Sequence, residues 1–330
     1  MTLTVGNLSL RGDALLAPMA GITDLPFRRI AARFGAGLVI SEMVASGELT
    51  TGRAATRAKA EIDPDAGIAA VQIAGREAAP MAEAARIAEG QGARLIDINM
   101  GCPAKKVTSG WSGSALMRDP DHALGLIAAV VGAVDVPVTL KMRLGWCGET
   151  MNAAEIASRA EAAGVRMITI HGRTRQQFYK GDADWRAVAE VKRAVGVPVI
   201  VNGDIVDAAT AREALRQSGA DAVMIGRGAQ GAPWTPGQVG AALAGEQQEA
   251  APEGDALHDL IVEHYEAMLS FYGSELGVRI ARKHLSWYLL RLPNGAPLRA
   301  RLIRLDDPRE VIATLREGFA DASIPEAMAA

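Results

Sequence analysis

The stretch PVIVNGDIVDAATAREALRQSGADAVMIGRG (198–228) contains two short, β-branched apolar runs joined by an alanine-rich segment. This pattern is typical of a parallel βαβ unit, in which a crossover helix connects two buried strands. The same alternation of apolar runs and amphipathic segments extends from residue 14 to about residue 240. It predicts an α/β fold built on a parallel sheet.

Eight apolar runs in this region are predicted as strands. They are ALLAPM (14–19), LVISEM (38–43), IAAVQIAG (68–75), LIDINMG (95–101), PVTLKMR (137–143), RMITIHG (166–172), PVIVNGD (198–204) and DAVMIGRG (221–228). This number of strands in a segment of this length favours a TIM (β/α)8 barrel over an open doubly wound sheet. No GxGxxG follows the first run, which also argues against a Rossmann unit.

The strand pattern stops in the last quarter of the chain. Segments 257–273, 279–290 and 306–322 repeat apolar residues at helical spacing. PWTPGQVG (233–240) and AGEQQEAAPEGDA (244–256), which precede them, are rich in Gly, Pro and Ala and resemble a linker. We expect a barrel domain at 1–240, a linker at 241–255 and a smaller all-helical domain at 256–330.

Composition excludes several classes of protein. The 330 residues are 49% hydrophobic, with no apolar run long enough to cross a membrane and two cysteines, which cannot build a disulfide framework. No Cys/His cluster offers a metal site. We expect a cytoplasmic monomer without a membrane segment, a bound metal or a stable protein partner.

The charge of the chain is unevenly distributed. The formal net charge is −3, which gives no indication of a polyanionic partner for the whole chain. The segment from Arg279 to Arg304, however, holds six arginines and one lysine with no Asp or Glu. This local excess of positive charge is a candidate surface for phosphate groups, although a solvated helix face would have the same composition.

Unusual side chains occur where the predicted strands end. Gln72, Lys141, His171 and Cys102 are not turn residues, yet each lies at or just after a strand end. Active sites of TIM barrels lie at this end of the strands, so these side chains are predicted to share one opening. Lys141 is interpreted as a Schiff-base lysine or as a cation at the polar edge of a flavin, and His171 as a site residue rather than a core histidine.

The last two strand ends favour a phosphate site. Asn202, Gly203 and Asp204 end the seventh strand, and Gly226 and Arg227 end the eighth. Barrels commonly bind phosphate at this position through backbone N–H groups, and an arginine adds a charge-assisted contact.

Cys102 follows its strand instead of lying within the apolar run, on a loop of small residues that we expect to be mobile. A nucleophilic cysteine needs a supporting base, which the sequence does not reveal, whereas a general acid needs only a proton and reach. Lys105 and Lys106 favour the thiolate over the thiol, so the sequence leaves its charge state open. Cys147 is interpreted as a bystander.

Nine motifs in order resemble the bacterial tRNA-dihydrouridine synthases, most closely the DusB branch. They are APMAGITDLPFR (17–28), SEM (41–43), QIAG (72–75), DINMGCPAKKV (97–107), SGSALM (112–117), LKMRLGW (140–146), ITIHGRTRQQFYKGDADW (168–185), VNGDI (201–205) and AVMIGRGAQGAPW (222–234). The resemblance covers roughly residues 12–235, and the helical segment has the position of that family's RNA-binding domain.

The resemblance implies an enzyme that uses FMN, recharged by NADPH or NADH, to reduce a uracil ring in tRNA. It implies that Cys102 protonates one carbon of the double bond while hydride reaches the other. It also implies cofactor contacts by Pro18, Met19, Ala20, Gln72, Lys141, His171, Asn202, Gly203, Asp204, Gly226 and Arg227. Asn99, Arg143, Arg173 and Arg175 would surround the target nucleotide, and Arg279, Arg282, Lys283 and Arg291 would contact RNA.

Two alternatives belong to other classes. One is a flavin-dependent barrel that acts on a small-molecule enone or pyrimidine, for which the basic helical extension would have no use. The other is a non-catalytic RNA-binding protein on an inherited barrel, which would have no physical need for Cys102, Lys141 and His171 together. The sequence does not indicate which tRNA position is modified.

Overall fold

The computed structural model of the chain describes residues 3–51, 58–63, 67–293 and 295–322. These residues form two compact units. The first comprises the chain up to Gly228 together with Trp234–Gln248, and the second comprises Ala229–Pro233 and the residues from Glu249 onward. In the described residues, no helix is both long enough and apolar enough to span a membrane.

The first unit is an α/β barrel, as predicted. A hairpin of β1 (Thr4–Val5) and β2 (Leu8–Ser9) precedes an eight-stranded sheet with the order β3-β10-β9-β8-β7-β6-β5-β4, in which paired strands are parallel. The strands are β3 (Ala14–Leu16), β4 (Val44–Ala45), β5 (Ala70–Ala74), β6 (Leu95–Met100), β7 (Val138–Arg143), β8 (Ile168–His171), β9 (Val199–Asn202) and β10 (Ala222–Ile225).

The predicted strand at 38–43 is not continuous. Single parallel bridges join Val39 to Leu16 and Ile40 to Ala70, and these bridges connect β3 with β5 so that the sheet closes into a ring. The ladder is interrupted at Ser41, whose hydroxyl accepts the Gln72 N–H at 3.0 Å. A side chain thus replaces a backbone acceptor at this point, which is the physical reason for the shorter strand.

Helices surround the sheet. They are α1 (Leu25–Arg33), α2 (Ser46–Thr50), α3 (Ala78–Gly90), α4 (Lys105–Thr108), α5 (Pro120–Val131), α6 (Ala153–Ala162), α7 (Trp185–Ala194), α8 (Ala208–Ser218) and α9 (Thr235–Ala244). Asp24, Asp119, Asp184 and Asp207 cap four of them by accepting backbone N–H groups of the first turn.

The interpretation of PWTPGQVG as a linker is wrong, because most of it forms the first turns of α9. Pro236 lies in the first turn, where its missing N–H costs nothing. A Cβ at Gly237 would lie 1.6 Å from the Phe34 carbonyl oxygen, so glycine permits close approach to the end of α1. The irregular segment between α9 and α10 is residues 245–253. The predicted domain boundaries at 240 and 256 remain a proposal.

The interior of the barrel changes character along the strands. Toward the amino ends of most strands it holds a buried apolar cluster, to which the N-terminal hairpin region contributes. The cluster comprises Leu3, Val5, Leu8, Leu10, Leu15, Ala17, Leu38, Ile40, Ala70, Leu95, Met167, Ile200, Ala222 and Met224. We call this cluster the floor and the carboxyl ends of the strands the mouth. Several inward positions of the mouth hold buried polar side chains.

The second unit is helical and matches the three predicted segments. Its helices are α10 (Gly254–Tyr272), α11 (Ser274–Leu289), α12 (Gly295–Leu302) and α13 (Pro308–Ala322). Its buried side chains include Ile261, Tyr265, Met268, Leu285, Tyr288 and Leu315. Tyr288 therefore belongs to the core of this unit.

Candidate active site

The mouth brings together polar side chains from five consecutive strands. Gln72 on β5, Asn99 on β6, Lys141 on β7 and Asn202 on β9 are all buried, and His171 on β8 is half-buried. The parallel register places Asn99 opposite Lys141 and His171 opposite Asn202. These predicted site residues therefore share one region of the barrel, as the strand-end argument required.

A chain of hydrogen bonds links three neighbouring strands to the cysteine loop. Thr139 donates to Asp97 Oδ1 at 2.6 Å, and Gln72 Nε2 donates to Asp97 Oδ2 at 2.6 Å. Asn99 Nδ2 donates to Gln72 Oε1 at 2.8 Å, and the Cys102 N–H donates to Asn99 Oδ1 at 2.9 Å. The backbone of Cys102 is thus anchored to the barrel interior. We call this chain of bonds the amide relay.

Lys141 is an ammonium group in a poorly hydrated place. Its Nζ donates to Asn202 Oδ1 at 3.2 Å, and Asn202 Nδ2 in turn donates to the Met224 carbonyl at 2.8 Å. Burial lowers the pKa of Lys141 to about 8, although the charge of Asp97 acts in the opposite direction. An ammonium has three N–H groups, so Lys141 has donor capacity for an acceptor in the mouth.

His171 is neutral at ordinary pH. Burial lowers its pKa well below the usual value, and the positive charges of Lys141, Arg143, Arg173 and Arg227 lower it further. Arg173 Nη1 lies 3.3 Å from His171 Nε2. Because a guanidinium only donates, Nε2 accepts and the ring proton is on Nδ1.

Arg143 and Arg173 are buried and hold the loops that follow the strands. Arg143 donates to the carbonyls of Gly101, Thr174 and Phe178 at 2.8, 2.9 and 2.9 Å. It thereby ties the cysteine loop to the loop after β8. Arg173 donates to the carbonyls of Lys180 and Gly181 and to the carboxylate of Asp204, which ties that loop to the end of β9.

The ends of β9 and β10 form a corner that carries the charges of Asp204 and Arg227. Asp204 has a left-handed backbone with φ of 54°, and its carboxylate accepts from Arg173 and from Arg227 at 3.1 Å. Burial raises the pKa of Asp204, but the hydrogen bonds and charges of these groups lower it below the ordinary value overall. Arg227 is exposed, so part of its guanidinium faces solvent.

Glycines allow neighbouring residues to approach closely at this corner. Gly203 has φ of +117°, and a Cβ there would lie 2.8 Å from Ala183 Cβ and 3.0 Å from the His171 ring. At Gly226 a Cβ would meet Ala17 Cβ and Met19 Sδ, each at 3.7 Å. Met19 therefore lies beside Gly226, and with Pro18 and Ala20 it follows β3 directly. The carboxyl ends of β3 and β10, which are neighbouring strands of the barrel, meet at this corner.

Cys102 is half-buried on a loop held at several points. Its carbonyl accepts both the N–H and the hydroxyl of Ser114, at 3.1 and 2.9 Å. Further along the loop, Arg175 donates to the Thr108 hydroxyl at 3.5 Å. The guanidinium of Arg175 also lies over the Trp146 ring, with its carbon 4.8 Å from the ring centroid. Predicted mobility of this loop stays a prediction.

The four predicted RNA-binding residues lie on or just after α11 of the second unit. Acidic groups outside the basic run pair with two of them: Glu275 binds Arg279, and Asp306 binds Arg282 at 2.6 Å. Arg291 is exposed and donates to the Gln230 carbonyl at 3.3 Å. Lys283 is half-buried. These two ion pairs partly offset the local excess of positive charge that the sequence alone indicates.

Sequence comparison identifies the family. Residues 15–324 match the family described as "Dihydrouridine synthase (Dus)". The chain belongs to the dihydrouridine synthase family. A relative from Rhodobacter capsulatus named "Probable tRNA-dihydrouridine synthase" is 64% identical over 97% of this chain and 99% of its own length. One from Xanthomonas campestris, named "tRNA-dihydrouridine synthase B", is 46% identical over 96% of this chain and 95% of its own length.

Solved structures of other enzymes share the fold of this dihydrouridine synthase family member. Morphinone reductase in complex with tetrahydroNAD superposes with a TM-score of 0.54 at 16% identity, covering 78% of this chain and 93% of that chain. Histamine dehydrogenase from Rhizobium sp. 4-9 superposes with a TM-score of 0.54 at 14% identity, covering 80% of this chain and 50% of that chain. These likenesses support the predicted barrel.

Sequence reasoning missed two residues of the family member's mouth. Asp97 is 0% exposed and accepts two hydrogen bonds. The sequence could have indicated it, because Asp97 is a charged residue two positions before Asn99 and therefore on the same face of the strand. Tyr179 lies beside the His171 ring and under the guanidinium groups of Arg143 and Arg227. Tyr179 lies on a loop, where no periodic pattern of hydrophobic residues indicates which side chains face the site.

Proposed function

We propose that this protein is a tRNA-dihydrouridine synthase that reduces the C5–C6 double bond of a uracil base in tRNA. The reaction adds a hydride and a proton across that bond. FMN is the proposed cofactor, NADPH or NADH the reductant, and Cys102 the proton donor. The observation that carries the proposal is the anchoring of the Cys102 backbone to Asn99, which Gln72 holds in place and which lies opposite the buried Lys141 on the next strand.

The residues of the mouth fit FMN. Its ring needs donors at the polar edge, for which Lys141 and the amide of Gln72 are suited. Its phosphate needs backbone N–H groups and a cation, for which Gly203, Gly226 and the exposed side of Arg227 are suited. Pro18, Met19 and Ala20 would line the ring, and His171, Asn202 and Asp204 would complete the contacts. When bound, FMN supplies the hydride.

The proton step belongs to Cys102. A thiol on a loop at the mouth can give its proton to a ring carbon that has gained negative charge, and it becomes a thiolate. Lys141 and Arg143 both interact electrostatically with Cys102. Because Cys102 is only half-buried, solvent can restore its proton.

The predicted substrate-binding residues act mainly by shaping the mouth. Arg143 and Arg173 bind carbonyl groups of the surrounding loops, and Asn99 binds the backbone of Cys102. Arg175 stacks on Trp146 and reaches the cysteine loop. A base that leaves its stack would enter the mouth beside these groups. Their role is therefore to fix the position of the base relative to the thiol.

The second unit is proposed to bind tRNA. Arg279 and Arg291 are exposed and carry charge that phosphate groups would neutralise. Arg282 and Lys283 belong to the same surface, although Arg282 also binds Asp306. A protein that modifies tRNA in this way acts in the cytoplasm, and we propose that it acts as a monomer.

The test measures both the bound cofactor and the reaction product. Purified protein is expected to be yellow and to release FMN on denaturation. With NADPH and an unmodified tRNA transcript it is expected to form dihydrouridine, detected by mass spectrometry of the digested RNA. A flavin-free protein that takes up no added FMN would overturn the cofactor assignment. Oxidation of NADPH with a small enone or free uracil, but not with tRNA, would favour the small-molecule alternative instead.

A further inference from the structure

Asp97 is a buried carboxyl group that the proposed chemistry does not use. It lies on β6 within the barrel interior and is 0% exposed. Both of its oxygens accept hydrogen bonds of 2.6 Å, one from Thr139 and one from Gln72. Burying a carboxyl group costs free energy unless it is well paired, so a residue of this type at this place needs a physical reason.

The carboxyl group sets the orientation of the Gln72 amide. Oδ2 of Asp97 accepts from Gln72, so the amide must direct its NH2 group toward β6. The orientation holds whether Asp97 is ionised or protonated, because the Thr139 hydroxyl can donate to Oδ1 or accept from it. The oxygen of Gln72 is therefore directed away from Asp97.

The orientation of Gln72 in turn sets that of Asn99. Gln72 Oε1 accepts from Asn99 Nδ2, which leaves Asn99 Oδ1 facing the cysteine loop. That oxygen accepts the N–H groups of Gly101 and Cys102, at 3.1 and 2.9 Å. If the Asn99 amide were reversed, its NH2 group would face two other donors, and the loop would lose both bonds.

The relay is shielded from water, which makes each link strong. Gln72, Asn99 and Thr139 are buried together with Asp97. Water cannot replace a lost partner in such a place, so an unpaired amide costs its full desolvation energy. A change at Asp97 is thus expected to reach Cys102 although Gln72 and Asn99 stand between them.

We propose that Asp97 is a positioning residue whose carboxyl group, through Gln72 and Asn99, fixes the backbone of Cys102 at the mouth of the barrel. The inference rests on the proposed function in one respect: the thiol is held in place so that it can transfer a proton. The hydrogen-bond geometry itself is independent of any cofactor or substrate.

The experiment measures the reactivity of the Cys102 thiol. The chain holds two cysteines, so a Cys147→Ser background leaves Cys102 as the sole thiol. Its alkylation by iodoacetamide is followed by mass spectrometry, without NADPH or RNA. In this background Asp97→Leu is expected to raise the alkylation rate several-fold, since the loop loses its anchor. Asp97→Asn is expected to restore the parent rate, because its amide can accept from Gln72 and donate to Thr139.

Dihydrouridine formation by the same variants is expected to follow the alkylation result. Asp97→Leu is expected to lose about 10²-fold in rate, the usual effect of a small misplacement of a catalytic group. Thr169→Val, a change of a buried residue on β8 outside the relay, serves as the control and should alter neither rate. If Asp97→Leu does not fold, Asp97→Thr makes the same test, because its oxygen is one bond closer to the backbone.

The outcomes separate this proposal from the proposed function. Equal alkylation rates in the parent and in Asp97→Leu or Asp97→Thr would overturn the positioning role. A raised alkylation rate that Asp97→Asn does not return to the parent value would do the same. If the parent forms no dihydrouridine while alkylation responds as expected, the proposed function fails and the positioning role stands.

Discussion

The floor and the mouth of the barrel interior are built from the same strands and the same strand face, yet they differ completely in chemistry. On β6, Leu95 packs in the floor, while Asn99, four residues further, anchors the cysteine loop. Ile200 and Asn202 show the same change on β9 within two residues. Position along the strand therefore separates residues that stabilise the fold from residues that we propose to serve the reaction.

The difference has an energetic basis. The floor gains free energy by removing apolar surface from water, and its side chains need no particular partner. The mouth buries charges and amides, each of which requires a specific partner to avoid a large cost. Substitutions in the floor should therefore change stability at every pH, and substitutions in the mouth should change chemistry or the pH dependence of stability. The four experiments below test this comparison, beginning with the largest expected effect.

Cys102→Ala should affect chemistry alone. A positioned general acid contributes about 10²- to 10⁴-fold, so dihydrouridine formation should fall by that factor. Reduction of the bound flavin by NADPH and the thermal midpoint should stay the same, as measured by stopped-flow absorbance and circular dichroism. Cys147→Ala is the matched control. Full activity of Cys102→Ala would remove the proposed proton donor.

Leu15→Ala tests the floor. Leu15 is fully buried in the apolar cluster. Its truncation should lower the free energy of unfolding by about 2–5 kcal/mol, measured by urea titration. The folded variant should still bind FMN with the parent affinity. Leu290→Ala, at an exposed leucine, is expected to change stability little. A large loss of FMN affinity in Leu15→Ala would show that the floor and the mouth are not separable.

Lys141→Met tests the mouth through pH. The pKa of Lys141 in the folded protein is lowered to about 8 by burial, whereas the unfolded chain keeps the ordinary value near 10.5. The unfolded state therefore binds more protons between these values, so the free energy of unfolding gains a contribution that rises with pH above 8.

The flavin-free Lys141→Met variant should lack that contribution. The measurement is the change in urea midpoint between pH 7.5 and pH 10, and it is compared between the flavin-free parent and the flavin-free variant. Lys192→Met, which removes a lysine paired with Asp221 on the surface, should keep the parent's pH dependence. An identical pH response in the parent and in Lys141→Met would show that Lys141 is not desolvated as described.

Arg279→Ala extends the comparison to a charge on the molecular surface. Loss of one phosphate contact should weaken tRNA binding by about 1 kcal/mol and reduce the slope of log affinity against log salt by about 1. The control is Arg216→Ala, because both arginines are paired with a glutamate on their own helix. Equal salt slopes for the two variants would refute the assignment of this surface to tRNA.

Much of the fold could be predicted from the sequence, because buried parallel strands and amphipathic helices have distinct periods. Two parts were not. The β1–β2 hairpin has strands of two residues, which are too short for any period to show. The helix α9 was interpreted as a linker, since Gly237 and its neighbours are poor helix formers; the close approach to Phe34 that requires glycine exists only in the folded protein.

The candidate site was predicted less completely. Strand ends identified Gln72, Lys141 and His171, because unusual residues at those positions stand out from turn residues. The sequence did not reveal that Arg143 holds neighbouring loops, since its carbonyl partners are distant along the chain. Asp97 was missed for a related reason. Its role depends on Gln72, 25 residues away on another strand, and sequence spacing carries no information about that partner.

The two bridges at Val39 and Ile40 give the barrel a seam. Elsewhere the ring is joined by ladders such as the five residue pairs between β6 and β7, so a local opening of the wall should start where single bridges replace a ladder. Amide protons beside the seam should therefore exchange before those of β6. For the same reason, a circular permutant with new termini in this segment would sacrifice the fewest backbone hydrogen bonds of the wall.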